Sequence, residues 1–336
     1  MTEIDARVAS ILAQASEGGE ISKPQAIELL KIDPNSSEFY ALMAIADSLS
    51  RRQFNNRGEV FAQIGINFWP CSKNCAFCSF GESTGLVKSP LEFSLEEVVT
   101  RAKAFEEAGA NAIFLMTTAD YPFDQFIEIA KAVREDISLP LVANIGDFGT
   151  QEAEALLSAG FQGVYHVFRL RESKDTRIPS EVRLATLDTI KDSKLELGFC
   201  VEPIGPEHSP EELVEEMFRG KQYGTVNHAA MWRVPAPGIP LAPLGKISEV
   251  ELAKAVAVTR LVSGDIIKAM GVHEPRVLAL RAGANQIYAE TGPNPRDTLE
   301  DTSKGGRGFS VEKCKEMLWE AGWMPLEGPT QVFGET

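Results

Sequence analysis

The spacing of hydrophobic residues along the chain changes near residue 58. From residue 4 to 52 the apolar residues recur at helical spacing in three segments, as in helices that bury one face. Ser22 and Pro24 stand where the N-cap and the first turn of the second segment are expected. The pattern therefore predicts three short helices ahead of the main body of the chain.

After residue 58 short β-rich segments alternate with helical segments. The predicted strands cover residues 59–68, 111–118, 139–145, 162–168, 195–203, 226–234, 265–270 and 286–290. The predicted helices cover residues 94–109, 124–136, 151–159, 180–191, 210–221, 248–262 and 311–321, and the segment 275–281 completes the alternation before the last strand. Ser94 and Glu97 form a capping-box pattern at the start of the first of these helices.

Eight alternations of a strand with a helix predict an α/β protein, a closed (β/α)8 barrel of the TIM type with an N-terminal helical extension. A doubly wound open sheet is the alternative, and both architectures place chemistry at the C-terminal ends of the strands. We expect three parts in the chain. They are a helical extension over residues 1–57, a barrel over 58–309, and a C-terminal helix and tail over 310–336 that pack on the barrel.

The composition is that of a globular protein, with 44% hydrophobic and 24% charged residues among 336. No apolar run approaches the roughly 18 residues that span a membrane, and the N-terminus lacks a basic region, so we expect a cytoplasmic protein. A net charge of −15 without a cluster of Lys and Arg disfavours nucleic acid as a partner. The expected partner is a small molecule.

Three of the five cysteines, Cys71, Cys75 and Cys78, lie within eight residues, on the loop that follows the first predicted strand. Three thiolates can each bind one iron of a cubane cluster. A zinc site is the alternative, but no Cys or His follows at the usual spacing to provide a fourth ligand. The spacing therefore favours an iron–sulfur cluster that has one iron open.

This loop resembles the C-x3-C-x2-C signature of the radical S-adenosylmethionine (radical SAM) superfamily, and Phe77 matches the aromatic residue that precedes the last cysteine. The resemblance implies a 4Fe-4S cluster whose open iron binds S-adenosyl-L-methionine (SAM). In this family, an electron from a ferredoxin- or flavodoxin-type donor leads to a 5′-deoxyadenosyl radical, which takes a hydrogen atom from a small-molecule substrate.

Two further segments resemble SAM-binding parts of the family. Thr117 and Thr118 follow the second strand, where the family's backbone carbonyls take the ammonium group of SAM, although the family's glycines are absent here. Arg169 and Glu172 follow the fourth strand, where the family contacts the ribose and methionyl parts. The alternatives are a plain surface turn for the first segment and a solvated salt bridge for the second.

The resemblance also assigns Arg183 to the SAM carboxylate and Ile204, in a glycine-containing turn after the fifth strand, to the adenine. A bidentate arginine suits a carboxylate, and a surface arginine is the alternative. Cys200 lies near the strand cysteine that biotin synthase uses for a second, sacrificial cluster. A buried cysteine that acts as a small hydrophobic residue is the alternative.

From residue 4 to 323 the order of elements resembles the group of biotin synthase, the hydrogenase-maturation radical enzyme and methylornithine synthase. Two other cysteines of biotin synthase are replaced in the segments 114–116 and 142–144, and Lys268 is the residue nearest its arginine ligand. Hydrogen abstraction without sulfur insertion is therefore the leading interpretation. Sulfur insertion with Cys200, a non-catalytic metal-binding scaffold, and an aldolase-like barrel with Lys268 as the Schiff base stay open as alternatives.

Overall fold

Eight parallel strands close into a barrel at the centre of the molecule, for which a computed structural model describes residues 4–274 and 276–334. The strands are β1 (Arg57–Gly65), β2 (Ala112–Met116), β3 (Leu141–Asn144), β4 (Phe161–Tyr165), β5 (Glu196–Ile204), β6 (Asn227–Trp232), β7 (Ala269–Val272) and β8 (Gln286–Thr291). Each strand pairs with the next, and β8 pairs with β1 through partners such as Tyr288 and Phe61. The predicted (β/α)8 barrel is confirmed.

Helices surround the barrel and precede it. They are α1 (Ala6–Ser16), α2 (Lys23–Leu30), α3 (Ser37–Gln53), α4 (Leu95–Glu107), α5 (Phe123–Asp136), α6 (Thr150–Ser158), α7 (Ser180–Asp192), α8 (Pro210–Gln222), α9 (Glu249–Ser263), α10 (Val277–Leu280) and α11 (Val311–Glu320). The capping boxes at Ser22 and Ser94 are present. Within the described residues, none of the helices has the length and apolar character needed to cross a lipid bilayer.

The three N-terminal helices pack on the outside of the barrel, where α3 contacts α9. Ser50 of α3 accepts a hydrogen bond from Arg260 of α9 (2.8 Å) and donates to the Gly283 carbonyl (2.6 Å). All of these groups are buried, so each polar atom that leaves water finds a partner. The predicted N-terminal helices are confirmed, and residues 1–3 lie outside the described part of the chain.

Aromatic side chains fill the inside of the barrel. Phe61, Phe114 and Tyr288 contact one another, with ring centroids 5.5 to 6.1 Å apart. Phe333, from the C-terminal tail, enters from the N-terminal ends of the strands and contacts Phe61 and Phe114 at 5.7 and 5.9 Å. The tail therefore closes one end of the barrel, and the cavity can lie only at the other end.

Several predicted strands end earlier in the structure than expected, among them the fourth, which ends at Tyr165 and not at residue 168. The first strand was expected to continue through residue 68, but β1 ends at Gly65 and residues Asn67–Phe68 pair antiparallel with Leu91–Glu92. A Cβ at Gly65 would lie 1.8 Å from the Pro293 carbonyl oxygen, so the chain passes too close to the 293 loop to continue as a regular strand. This small ribbon closes the base of the loop between residues 69 and 90.

The seventh strand is shifted relative to the prediction of 265–270. Residues Gly264–Ile266 form a turn of 3-10 helix after α9, and β7 spans Ala269–Val272. The observed strand begins and ends later in the sequence than predicted. Its last two residues, Gly271 and Val272, are buried and pair with Ala229 and Ala230 of β6. Of the predicted segment 275–281, α10 covers Val277–Leu280 and Pro275 lies outside the described residues.

Candidate functional site

The loop of the three cysteines, residues 69–81, leaves the barrel at the C-terminal end of β1 and turns back on itself. The Cys71 N–H donates to the Phe80 carbonyl (2.7 Å), which joins the two ends of the loop. Asn74 has a φ of 44°, in the left-handed region that Asn tolerates better than most residues. Its side chain donates to the Ser72 carbonyl (2.9 Å) and accepts from the Ser83 N–H (2.7 Å), so the turn is fixed locally.

Four other loops hold this cysteine loop, each following a different strand. They follow β2, β4, β6 and β8, so the contacts come from around the barrel. These hydrogen bonds join Ser72 to Asp120, Ala76 to Asp175, Ala76 to Leu241, and Ser79 to Pro295, at 2.6 to 3.0 Å. The position of the three cysteines therefore depends on the closed barrel, and not on the loop alone.

A cavity lies under this loop, at the C-terminal ends of the strands. It is a concave site, partly open to solvent, at the place where barrel enzymes bind their ligands. Eight of the ten residues that the sequence assigns to metal or cofactor binding line it: Cys71, Cys75, Phe77, Cys78, Thr117, Thr118, Arg169 and Arg183. Glu172 and Ile204 do not line it.

Of the three cysteines, Cys71 is buried, and Cys75 and Cys78 are half-buried. Burial raises the pKa of Cys75 to about 11, with Arg169 acting in the opposite direction, and burial also raises the pKa of Cys71 and Cys78. Three such thiols ionise when a metal cluster takes their negative charge. Among the described residues no three His, Cys, Asp or Glu side chains converge as they would on a single ion. A cubane has no such requirement, because each thiolate binds a different iron.

Arg183, at the start of α7, is held by two carboxylates. Its Nη1 lies 3.1 Å from Asp147 Oδ1, and its Nε lies 3.3 Å from Glu172 Oε2 without an aligned hydrogen bond. Glu172 also accepts from the Arg169 N–H (3.0 Å) and from the Thr176 hydroxyl. The predicted residues Arg169, Glu172 and Arg183 therefore form one network, in which Glu172 reaches the cavity through Arg183.

Asp147 and His166 are two members of this network that sequence reasoning missed. His166 Nε2 lies 3.3 Å from Asp147 Oδ1. Burial lowers the pKa of His166, and Asp147 opposes that effect, so the imidazole is held neutral at pH 7. Asp147 and His166 lie shortly after the C-terminal ends of β3 and β4. Because catalytic groups in barrels lie at these strand ends, their positions could have indicated a role in the site.

Arg169, a member of this network, lies next to the cysteine loop. It pairs with Glu202, which is 2% exposed, and its guanidinium lies 5.7 Å from the centre of the Phe77 ring. Arginine at that distance from an aromatic face gains a modest cation–π attraction. The aromatic residue of the cysteine motif is thus positioned against the predicted cofactor-binding arginine.

The segment after β2 joins the cavity through Thr118. Its hydroxyl accepts from Asn67 Nδ2 (2.8 Å) and its N–H donates to Asn67 Oδ1 (2.9 Å), while the Thr117 N–H donates to the Asn144 carbonyl (3.1 Å). The Thr118 carbonyl accepts from the Tyr121 N–H (3.1 Å). Asp120, two residues further on, binds Ser72 of the cysteine loop.

Three residues considered from the sequence lie away from the cavity lining. Ile204 is buried at the end of β5, and its predicted contact with adenine stays a prediction. Cys200 is completely buried in β5 beside the Tyr165 hydroxyl, with no other cysteine at hand, because Cys314 lies on α11. Lys268 binds Glu196 (2.5 Å) at the N-terminal ends of the strands, so the Schiff-base alternative is wrong.

The proline-rich loop 235–243 contacts the cysteine loop through the Leu241 N–H. None of its residues line the cavity. The loop after β8 lines it through Pro295 and Arg296. Tyr165, Met231 and His273 complete the lining from β4, β6 and the residue after β7, and sequence reasoning did not assign them to the site.

Comparison with curated proteins gives distant relatives of similar length. A biotin synthase of Clostridioides difficile is 25% identical over 316 residues, which cover 90% of this chain and 94% of that protein. An uncharacterized protein of Methanocaldococcus jannaschii is 27% identical over 342 residues, covering 95% of this chain and 89% of that protein. No protein-family model matches the chain.

Solved structures share the fold over almost the whole chain. The FeFe-hydrogenase maturase HydG of Carboxydothermus hydrogenoformans matches with a TM-score of 0.79 and 20% identity, covering 97% of this chain and 80% of that one. Methylornithine synthase (PylB) matches with a TM-score of 0.80 and 17% identity, covering 94% and 97% of the two chains. The barrel with N-terminal helices is therefore the common framework.

The chain folds as a barrel with a cysteine loop over the cavity at the C-terminal ends of its strands. Its distant sequence relatives and its structural neighbours relate it to biotin synthase, HydG and methylornithine synthase, enzymes of the radical SAM superfamily.

Proposed function

We propose that this radical SAM enzyme holds a 4Fe-4S cluster on Cys71, Cys75 and Cys78 and takes a hydrogen atom from a small molecule in the synthesis of a cofactor or other metabolite. When bound, the cluster and SAM supply a 5′-deoxyadenosyl radical, with the electron coming from a donor of the ferredoxin or flavodoxin type. The observation that carries the proposal is that three thiols, one buried and two half-buried, border the same cavity as Arg169 and Arg183.

The chain's own residues would hold SAM in the following way. Arg183, fixed by Asp147 and Glu172, presents its guanidinium to the SAM carboxylate. The side chain of Glu172 is buried behind Arg183 and does not border the cavity, so its contact with the ribose stays a prediction. The Thr117 carbonyl accepts from the ammonium group. Arg183 and Thr117 both border the cavity.

The test is reconstitution with iron and sulfide under anaerobic conditions, followed by dithionite and SAM. We expect about four irons per chain and formation of 5′-deoxyadenosine. Cys75→Ala should lose both, because it removes one of three cluster ligands. A Cys75→Ala protein that still forms 5′-deoxyadenosine would overturn the proposal.

Cys314→Ala is the matched control, since Cys314 is also a buried cysteine but lies on α11, outside the cavity. It should keep the iron and the product. We do not extend the proposal to sulfur insertion, because Cys200 is completely buried and has no second thiol beside it to share a cluster.

A further inference from the structure

The charged residues are distributed unevenly over the molecule. The eight loops that lead from a barrel strand to the next helix hold 12 Lys and Arg against 11 Asp and Glu, whereas the rest of the chain holds 21 against 37. The end of the barrel that carries the cysteine loop is therefore close to neutral, and the rest of the molecule is strongly acidic. An acidic protein that approaches this molecule is repelled least at the cysteine loop.

Two exposed basic residues, Lys174 and Arg177, lie directly beside the cysteine loop. They belong to the loop after β4, whose backbone binds the cysteine loop at two points. The Ala76 N–H donates to the Asp175 carbonyl (2.7 Å), and the Arg177 N–H donates to the Lys73 carbonyl (2.9 Å). In the part of the chain that the structure describes, neither Lys174 nor Arg177 forms an ion pair, so both charges face solvent.

The other charges nearby in this loop are balanced within the protein. Arg171 Nε lies 2.6 Å from Glu212 Oε1. This hydrogen bond raises the pKa of Arg171, and the charge of Asp175 acts in the same direction. Asp175 is half-buried, and Arg171 is one of the groups that balance it. The positive charges of Lys174 and Arg177 are thus the ones that this loop presents to a partner.

An exposed apolar side chain lies on the other side of Ala76. The loop after β6 reaches the cysteine loop there, where the Leu241 N–H donates to the Ala76 carbonyl (3.0 Å). Leu244 follows one turn later and is 48% exposed, and Lys246 beyond it is exposed as well. Ala76 is the residue after Cys75, so basic and apolar side chains flank the cysteine loop next to one of its thiols.

We propose, resting on the proposed function, that Lys174, Arg177 and Leu244 form a docking surface for an acidic one-electron carrier protein. Electron transfer slows steeply with distance, and this surface adjoins the residue next to Cys75. The carrier is oxidised by one electron and the cluster is reduced by one, and no bond forms or breaks at the docking surface. Electron-transfer complexes are small and transient, and opposite charges accelerate their formation.

The first experiment measures binding to the reconstituted enzyme by isothermal titration calorimetry. The probes are an oxidised flavodoxin and an oxidised ferredoxin, each of net negative charge. We expect the wild-type enzyme to bind at least one of them. The Kd should rise with salt concentration, because ions screen the attraction between exposed charges.

Variants then connect binding to the docking surface. Lys174→Glu combined with Arg177→Glu should raise the Kd at low salt at least about tenfold, because it places like charges opposite each other. Leu244→Ser should raise the Kd about threefold and leave its salt dependence unchanged, because it removes an apolar contact and no charge.

The control is Lys131→Glu combined with Lys194→Glu, which changes the net charge by the same amount. Both lysines are exposed, one on α5 and the other just before β5, at the opposite end of that strand from the cavity. The control should keep the Kd within about twofold of wild type, since distant charges are screened.

A second experiment separates docking from catalysis. Formation of 5′-deoxyadenosine is followed with dithionite, a small reductant that needs no docking surface, and with the reduced carrier at a concentration below its Kd. The variant with both Lys174→Glu and Arg177→Glu should match wild type with dithionite and be about tenfold slower with the carrier.

Four results would overturn the docking surface. They are an unchanged Kd in the variant with Lys174→Glu and Arg177→Glu, an equal rise in the control, no binding of either probe to wild type, and loss of the dithionite reaction in that variant. In each case 5′-deoxyadenosine formed by wild type with dithionite still supports the proposed function. Its absence would instead overturn the proposed function itself.

Discussion

Arg183 is oriented by the protein before any ligand is present. Asp147 and Glu172 contact its guanidinium, and Glu172 in turn is fixed by the Arg169 N–H and the Thr176 hydroxyl. An arginine held in this way loses little conformational freedom when it binds a carboxylate, and its planar fork matches the two carboxylate oxygens. Binding of SAM should therefore depend on the shape of this side chain as well as on its charge.

Arg183→Lys tests this at the level of one residue. The lysine keeps the charge and loses the planar fork, so we expect the Kd for SAM to rise about tenfold, or about 1.4 kcal/mol. Equilibrium dialysis on the reconstituted enzyme measures it. Arg219→Lys is the control, since Arg219 pairs with Glu216 on α8 and does not line the cavity. An unchanged Kd in Arg183→Lys would contradict the assignment.

Cys200→Ala gives a second prediction at this scale. Cys200 is buried in β5 and has the packing of a small hydrophobic residue, so the variant should keep about four irons per chain. We expect the free energy of unfolding to fall by about 1 kcal/mol, from the small volume removed. Iron analysis and urea unfolding check both. A loss of iron would mean that Cys200 is a cluster ligand after all.

The sequence permitted some of these residues to be found and not others. The three cysteines were visible because their spacing is local. His273 and Arg296 were not, since the roles of both arise from partners that only barrel closure brings together, such as Tyr288 and Glu290. Nothing in the residues around position 273 reports that a ring nitrogen there is buried and unpaired.

At the scale of elements, the C-terminal tail shows how a segment without regular structure can complete a fold. After α11, residues Met324–Pro325 pair with β1, and the chain then crosses the N-terminal ends of the strands. Asn111 donates to the carbonyls of Leu326 and Gly328 (3.1 and 2.7 Å). Phe333 follows and fills the space beside Gly163, where even a Cβ on the glycine would lie 2.4 Å from its ring.

Phe333→Ala should destabilise the protein by about 3 to 5 kcal/mol, because it leaves a cavity in the aromatic interior. Phe333→Leu, which keeps most of the volume, should cost less than about 2 kcal/mol. Urea unfolding followed by circular dichroism measures the difference. If Phe333→Ala unfolded at the same urea concentration as wild type, the tail would not be part of the core.

The strands themselves were predictable because their hydrophobic runs are continuous, and their order followed from the alternation with helices. The residues at which the strands end were less predictable. β1 stops where its backbone meets the 293 loop, a contact more than 200 positions away in sequence. The tail was expected to pack on the barrel, but its role in filling the interior depends on the glycine at 163, which lies opposite Phe333.

At the scale of the whole molecule, the two ends of the barrel differ in what they bury. The cavity end holds ion pairs and thiols, and the closed end holds a carboxyl group, Glu59, which the Thr330 hydroxyl contacts. Burial raises the pKa of Glu59 to about 7, with the hydrogen bond from Thr330 acting in the opposite direction. The folded state therefore favours the neutral acid at a pH where the unfolded chain is ionised.

Stability should consequently depend on pH through this group. The unfolded pKa is the ordinary 4.5, so the folded state binds the proton more tightly, and stability falls as the pH rises from about 4.5 to about 7. The whole effect for one such group is about 3 kcal/mol. Burial lowers the pKa of His166, His208, His228 and His273, and these groups add stability as the pH rises toward 6.5, so the test compares two proteins. Urea unfolding of wild type and Glu59→Gln between pH 5.5 and 8 should show the variant gaining stability relative to wild type as the pH rises. A difference between the two proteins that does not change with pH would contradict the assignment.

The barrel as a whole was predictable because eight alternations of strand and helix leave few other arrangements. The difference between the cavity end and the closed end of the barrel was not predictable, because it results from packing between residues distant in the chain, such as Phe61, Phe114 and Phe333.

The hydrogen bonds from four loops to the cysteine loop bear on how such an enzyme acquires new substrates during evolution. In most TIM barrels the loops after the strands diverge freely, and new activities arise there. In this protein the loops after β2, β4, β6 and β8 also hold the cysteine loop. A substitution in one of these loops therefore displaces the cysteines, and selection for an intact cysteine loop opposes the substitution. The side chains of Tyr165, Met231 and His273 line the cavity and form none of these hydrogen bonds. Divergence of substrate among descendants of this chain should therefore be recorded at positions 165, 231 and 273, with the loop sequences changing more slowly.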